Sequence, residues 1–146
     1  MTHQLNWGIL STANIGVKQV IPAIARAANC RVVAIASRDV ARARAAADRL
    51  AIGTAYGSYE ELLADPSIDA IYNPLPNGLH GCWTSAALRA GKHVLCEKPF
   101  TANADEAEAV AEVARETGLV VMEAFHYRYH GLTARMLDIL ASGELG

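Results

Sequence analysis

The sequence predicts an α/β fold, a doubly wound parallel sheet with helices on both faces. Short apolar runs of strand length alternate with longer stretches in which apolar residues recur at helical spacing. The run RVVAIA at residues 31–36 is continuous and β-branched, which is typical of a strand buried on both faces. Residue pairs that suit helix N-termini stand between the runs. Alternation of this kind indicates parallel strands joined by helical crossovers.

Taken in order, the apolar runs give the strands and the periodic stretches give the helices. The predicted strands cover residues 7–10, 31–36, 70–72, 93–96 and 119–122. The predicted helices, caps included, cover residues 15–28, 39–50, 58–63, 79–90, 103–116 and 132–141. Pro22 lies inside the first helix, so we expect a kink or a late helix start there. Gly91 and Gly118 follow two of the helices as C-terminal stops.

Helix N-termini are marked by side chains that can accept backbone N–H groups. Asp39 suits the cap of the second helix. Ser58 with Glu61, and Asn103 with Glu106, have the three-residue spacing of a capping box.

Composition excludes several classes of protein. The chain has 146 residues, of which 52% are hydrophobic, enough for one domain with a real core. The net charge of −2, with scattered Lys and Arg, argues against nucleic acid or a membrane surface as a partner. Three cysteines without CxxC spacing indicate reduced thiols, and residues 1–6 lack the pattern of a signal peptide. We therefore expect a cytoplasmic protein.

The loop after the first strand has small residues where a phosphate-binding loop needs them. Ser11, Ala13 and Gly16 stand at the glycine positions of the GxGxxG pattern, which lets backbone approach a pyrophosphate. Because two of the three glycines are missing, a tight turn without a ligand stays equally open.

The loop after the second strand lies about 20 residues further on, at the usual ribose-reading position. Ser37 and Arg38 come first there, which suits a 2′-phosphate and favours NADP. Two alternatives remain. In the first, Arg38 is a surface charge exposed to solvent and Asp39 only caps the following helix. In the second, Asp39 binds the ribose hydroxyls, so the cofactor can be NAD.

Three further loops carry polar side chains. Asn77 and His80 follow the strand at 70–72, where Asn77 can face the crevice or cap the next helix. Lys98 follows the strand at 93–96 and can act as a general acid/base or hold an alkoxide, although a lone lysine is more often a surface charge. His126 and His130 are four residues apart, but no third ligand has matching spacing, so we favour packing at a domain junction over metal binding.

Four segments in order resemble the oxidoreductase family of glucose–fructose oxidoreductase, inositol dehydrogenase and the rhizopine-catabolism proteins (Gfo/Idh/MocA). They are WGILSTANIG at 7–16, YNPLPNGLH at 72–80, GKHVLCEKP at 91–99 and EAFHYRYH at 123–130. The resemblance covers the whole chain and is strongest to the NADP-dependent branch of D-xylose and trans-dihydrodiol dehydrogenases. It implies a Rossmann domain, followed in the family by a mostly antiparallel sheet domain that binds substrate and often mediates oligomerisation.

The resemblance also implies roles for individual residues. Lys98 corresponds to the active-site lysine of the Glu-Lys-Pro motif, beside the nicotinamide and the reacting hydroxyl. The cofactor-binding residues implied are Ser11, Thr12, Ala13, Asn14, Ile15, Ser37, Arg38, Pro74, Leu75, Asn77, His80, Glu97 and Lys98. Gly131 stands where the family commonly has proline.

The expected organisation is a dinucleotide-binding domain at residues 1–123 and a connecting segment at 124–146 that leads into a substrate domain beyond the chain. The expected function is hydride exchange between NAD(P), with NADP favoured, and a sugar-like or polyol substrate. The second catalytic group would lie outside this chain. Two alternatives stand beside this expectation: a non-catalytic fragment that holds NADP(H), and an assembly module that forms homo-oligomers.

Overall fold

The computed structural model describes residues 4–146 and contains a six-stranded sheet in which every pairing is parallel. The strand order is β3-β2-β1-β4-β5-β6, so the order reverses between β1 and β4. The predicted fold class is confirmed. The strands are β1 Leu5–Leu10, β2 Cys30–Ala36, β3 Thr54–Tyr56, β4 Ala70–Asn73, β5 His93–Cys96 and β6 Val121–Glu123.

Six α-helices connect or follow these strands, close to the predicted bounds. They are α1 Ile21–Arg26, α2 Val40–Leu50, α3 Tyr59–Ala64, α4 His80–Arg89, α5 Ala104–Thr117 and α6 Gly131–Ser142. Short 3₁₀ segments precede α4 at Asn77–Leu79 and α6 at His126–Tyr129. Sequence analysis placed no strand at β3, because three residues between Gly53 and Gly57 are too few to show a period.

The first predicted helix is divided at Pro22. A π-helical turn covers Gly16–Val20, in which the Ile21 N–H donates to the Gly16 carbonyl, and α1 then begins with Pro22 in its first turn. Pro22 has no N–H for the carbonyl four residues before it, and its ring would crowd that carbonyl in a regular helix. The wider turn avoids this clash. Because the chain is helical from residue 14 onward, the helix does not start late, and the irregularity expected at Pro22 takes the form of this π-helical turn.

The predicted caps form, with a variation in two of them. Ser58 Oγ accepts the Glu61 N–H at 3.1 Å, and Asn103 Oδ1 accepts the Glu106 N–H at 2.9 Å. Each glutamate side chain then reaches one residue beyond the cap, to the N–H of Gly57 and of Ala102, respectively. These contacts fix the loops that lead into α3 and α5.

The core lies on both faces of the sheet. Ile9, Ile35 and Tyr72 pack against α1 and α2 on one face, whereas alternate strand residues pack against α3, α4 and α5 on the other. No residue of α6 is buried, so this helix stands apart from both cores. Within residues 4–146, no helix has the length and apolar character needed to cross a membrane.

Candidate functional site

The loops after β1 and β4 flank the point where strand order reverses. In open parallel sheets, ligands bind beyond the carboxyl ends of the strands at this point. Two cavities lie there, one beside the end of β2 and one beside the end of β5. We call them the first and second cavities.

The loop after β1 makes the tight turn that the pattern predicted. Ser11 has a φ of 77°, the left-handed conformation that usually needs glycine, and its Oγ accepts the Ala13 N–H at 3.2 Å. At Gly16, an added Cβ would lie 3.3 Å from Cε1 of Tyr72. The loop therefore keeps the backbone shape of a phosphate-binding turn, with Ser11 in place of the first glycine. Glycine is retained only at Gly16, where the helix packs against Tyr72 of β4.

The first cavity measures about 440 Å³. Its lining residues from the loops after β1, β2 and β4 are Ser11, Thr12, Ala13, Ser37, Arg38, Asp39, Leu75 and Pro76. Arg42 of α2 and Tyr59 of α3 complete the lining, and sequence analysis missed both. Arg42 lies in the first turn of α2, four residues after Arg38.

Two guanidinium groups lie together at this cavity. Burial raises the pKa of Tyr59, whereas the positive charges of Arg38 and Arg42 lower it, so both arginines lie close to the phenol. The carboxylate of Asp39 is engaged elsewhere: its Oδ1 accepts the N–H groups of Ala41 and Arg42 at 2.9 and 3.4 Å. The cavity thus presents two cations, while the one acidic side chain in its lining caps α2.

The second cavity measures about 350 Å³ and gathers the other predicted residues. Its lining consists of Ile15, Pro74, Leu75, Asn77, His80, Glu97, Lys98, Ala124 and His126. Leu75 lines both cavities, so the two are neighbours along one crevice. Lys98 is exposed at the rim, and Asn14 is exposed outside the lining of either cavity.

Glu97 is buried and tied to the sheet. The hydroxyl of Tyr72 donates to Oε1 at 2.8 Å, and the backbone N–H of Lys98 donates to Oε2 at 3.2 Å. Burial, and then this hydrogen bond, raise the pKa of Tyr72 far above its ordinary value, so the phenol stays protonated and donates. Nε2 of His126 lies 3.9 Å from Oε1 of Glu97. Glu97 therefore anchors the segment that carries Lys98.

Other groups near the crevice have structural roles. The side-chain amide of Asn73 donates to the His80 carbonyl at 3.3 Å and to Oγ1 of Thr84 at 3.1 Å, which fixes the start of α4. Neither the 3₁₀ segment at Asn77 nor α4 has a side-chain cap, so the capping alternative for Asn77 is wrong. Burial raises the pKa of the Cys96 thiol to about 11, which makes it a poor nucleophile.

His126 and His130 belong to no metal-binding group. Among residues 4–146, no cluster of three or more His, Cys, Asp or Glu side chains could hold a metal ion. His126 instead lines the second cavity, a position that its sequence spacing did not predict.

Comparison of the chain with known proteins finds similar oxidoreductases. The model of an oxidoreductase family with an NAD-binding Rossmann fold matches residues 5–125. The chain is 60% identical over 140 residues to D-xylose 1-dehydrogenase (NADP(+)) 2 of Haloferax volcanii, covering 96% of this chain and 42% of that protein. It is 39% identical over 144 residues to trans-1,2-dihydrobenzene-1,2-diol dehydrogenase of Macaca fuscata fuscata, covering 97% of this chain and 43% of that protein.

A solved structure agrees in fold. The crystal structure of a 3-ketoreductase from Actinomadura kijaniata, in complex with NADP and TDP-benzene, superposes with a TM-score of 0.89 at 39% identity. The match covers 97% of this chain and 43% of that one. The chain therefore spans less than half the length of the relatives it matches.

Proposed function

This chain belongs to the Gfo/Idh/MocA oxidoreductase family, and we propose that it is the cofactor domain of an NADP-dependent enzyme. The enzyme exchanges a hydride with a sugar, a polyol or a related hydroxyl or carbonyl compound. In this proposal, residues 124–146 connect the domain to a substrate domain. The observation that carries the proposal is the pair of arginines in the first cavity, in one crevice with Lys98.

The arginine pair supports NADP as the cofactor. NADP differs from NAD by a 2′-phosphate on the adenosine ribose, and guanidinium groups match phosphate oxygens in charge and geometry. Arg38 and Arg42 lie near the same phenol, so one phosphate can contact both. An NAD site would need a free carboxylate for the ribose hydroxyls, and the Asp39 carboxylate is occupied at the N-terminus of α2.

The loop after β1 suits the pyrophosphate. Ser11, Thr12 and Ala13 have small side chains, and Ser11 takes the left-handed conformation that exposes the following backbone. Backbone N–H groups at such a strand-to-helix turn can donate to phosphate oxygens. In our proposal, the cofactor lies with its adenosine end in the first cavity and its nicotinamide end in the second.

The second cavity suits the chemical step. When bound, the nicotinamide supplies the hydride acceptor or donor. Oxidation of a hydroxyl removes a hydride from carbon and a proton from oxygen. The amino group of Lys98 can take that proton or stabilise the developing alkoxide by its charge. Tyr72 holds Glu97, and Glu97 holds the backbone of Lys98 beside the cavity.

The substrate class rests on relatives. D-xylose 1-dehydrogenase and the dTDP-sugar 3-reductases among the relatives act on sugars or sugar nucleotides, as their names state. We carry over only the shared feature, a carbon that bears a hydroxyl or keto group on a sugar-like ring.

A second candidate is a chain that holds NADP(H) without catalysis. It is favoured by the exposure of Lys98 at the cavity rim. We expect this 146-residue chain to bind cofactor more weakly than a complete relative and to turn over sugar substrates poorly.

The test is a titration of the purified chain with NADPH and NADH, followed by nicotinamide fluorescence. We expect tighter binding of NADPH. Arg38→Ala and Arg42→Ala should each weaken NADPH binding by about tenfold or more, the value of a charged hydrogen bond, with little effect on NADH. Arg44→Ala is the matched control, because Arg44 is exposed on the same helix and outside the cavity lining.

Equal affinity for the two cofactors, unchanged by either arginine substitution, would reject the NADP proposal. Oxidation of D-xylose measured in the same samples tests the second candidate. Rapid, saturable turnover by the chain alone would contradict the holding function.

A further inference from the structure

His80 lies at the start of α4 and is almost wholly buried, with 1% of its surface exposed. Its Nε2 is 2.6 Å from the Leu75 carbonyl oxygen, and its Nδ1 is 2.6 Å from the Pro99 carbonyl oxygen. Both ring nitrogens therefore face an acceptor at hydrogen-bond distance.

Carbonyl oxygens accept hydrogen bonds and cannot donate them. A neutral imidazole carries one N–H and one bare nitrogen, so either tautomer would leave a nitrogen lone pair against an oxygen lone pair at 2.6 Å. Only the imidazolium form has two N–H donors. We infer that His80 is doubly protonated in the folded protein and acts as a positioning residue that clamps two loops of the crevice.

The clamp joins the segments on which both cavities depend. Leu75 lines the first and second cavities, and Pro99 directly follows Lys98. Asn73 reinforces one side, since its Oδ1 accepts the Leu75 N–H at 3.3 Å and its amide holds the His80 carbonyl. One ring thus sets the distance between the loop after β4 and the segment that carries Lys98.

Three carboxylates lie on the elements around the clamp. Glu97 lines the same cavity, Glu106 of α5 lies against Gly81, and Oε1 of Glu123 accepts the Phe100 N–H at 2.8 Å. The N-terminus of α4 opposes the charge through its dipole. The titratable or charged groups on these elements around the clamp include Glu97, Glu106, Glu123, Lys98, Cys82, Cys96 and His126.

The clamp has a consequence for binding that rests on the proposed function. Loss of one ring proton leaves one carbonyl without its donor and places two lone pairs in contact, so the two loops separate. Affinity for NADPH should therefore fall as the pH rises through the range in which His80 loses its second proton.

The decisive experiment is long-range ¹H–¹⁵N NMR of the ring nitrogens in the cofactor-free chain at neutral pH. We expect both nitrogens of His80 to give signals of the protonated form. A single unprotonated nitrogen in the His80 ring would overturn the inference. Because no cofactor is present, this readout is independent of the proposed function: a protonated ring in a chain that binds no NADPH would reject that function and leave the clamp intact.

Variants give the second readout. His80→Gln supplies one amide group in place of two ring donors and should weaken NADPH binding by about tenfold, the cost of a charged hydrogen bond. It should also remove the pH dependence expected of the wild-type chain. His93→Gln is the control, because His93 accepts the Val120 N–H at the opposite end of the sheet.

A wild-type affinity that does not change while the His80 signals titrate would also overturn the clamp. If His80→Gln fails to fold, the NMR experiment on the wild-type chain still decides the question.

Discussion

Ser11 takes a backbone conformation that costs a residue with a Cβ about 1–2 kcal/mol. Its φ of 77° is accompanied by the hydrogen bond from the Ala13 N–H to its hydroxyl, which offsets part of that cost. Ser11→Gly and Ser11→Ala both remove the hydroxyl, but only glycine also removes the strain. We expect the glycine variant to be the more stable of the two by about 1 kcal/mol, measured as the free energy of unfolding in urea.

The two variants control for one another, since they differ in a single Cβ. Equal stabilities, or a more stable alanine variant, would show that the loop relaxes out of the left-handed region. The same hydroxyl explains why the glycine pattern is a weak predictor in this chain. A serine that bonds to the backbone two residues on can take the place of glycine, and pattern matching does not detect that contact.

Single residues at the crevice were predicted where they follow a strand directly. Ser37, Arg38 and Lys98 stand at strand ends, and the structure brings them to one edge of the sheet. Arg42 and Tyr59 were missed because they reach the first cavity from helices, at distances along the chain that no loop motif contains. The protonation of His80 depends on two carbonyls from other loops, which a sequence cannot place.

At the scale of elements, Asp39 decides how α2 begins. Its carboxylate accepts two backbone N–H groups of the first turn, and the helix then carries Arg42 to the first cavity. Asp39→Ala should lower the free energy of unfolding by about 1 kcal/mol, whereas Asp39→Asn keeps an acceptor and should change it by less than about half that amount. Urea unfolding of both variants measures the difference.

NADH titration of the Asp39→Asn variant provides a further check. If the carboxylate caps the helix rather than binding a ribose, the affinity for NADH should change less than about twofold, below the effect of a lost charged hydrogen bond. A large loss of NADH affinity with unchanged stability would instead assign Asp39 to the cofactor. The sequence left these roles open because capping and ribose binding require the same residue type at the same position.

Element types followed from the sequence wherever the pattern was long enough. The bounds of β5 and the caps of α2, α3 and α5 agree with prediction, since each rests on local contacts. The strand β3 was not predicted, because its extended conformation is fixed by pairing with Ala34, Ile35 and Ala36 of β2 and not by a pattern within its own three residues. At the start of the π-helical turn, Gly16 lies against Tyr72, a contact between distant parts of the chain that the sequence does not show.

For the whole molecule, the fold class could be predicted because parallel strands and helical crossovers alternate along the chain. The position of α6 relative to the core could not. Its apolar side chains recur at helical spacing, and the side chains of Leu132, Met136, Leu137 and Leu140 are 55–63% exposed. A helical period shows that a helix has an apolar side, but it does not say what covers that side.

The exposed side of α6 gives a prediction about association. An uncovered apolar stripe favours contact with another apolar surface. A second apolar groove lies on the sheet between Trp7, Leu95 and Met122, so the chain has two such surfaces. We therefore expect the purified chain to self-associate as its concentration rises, measured by light scattering. Leu140→Glu should shift the mass towards the monomer, whereas Asp138→Lys, an exposed position on the opposite side of α6, should not. A monomer at all concentrations in the wild-type chain would reject the assembly function, because the stripe would then be tolerated in water without a partner.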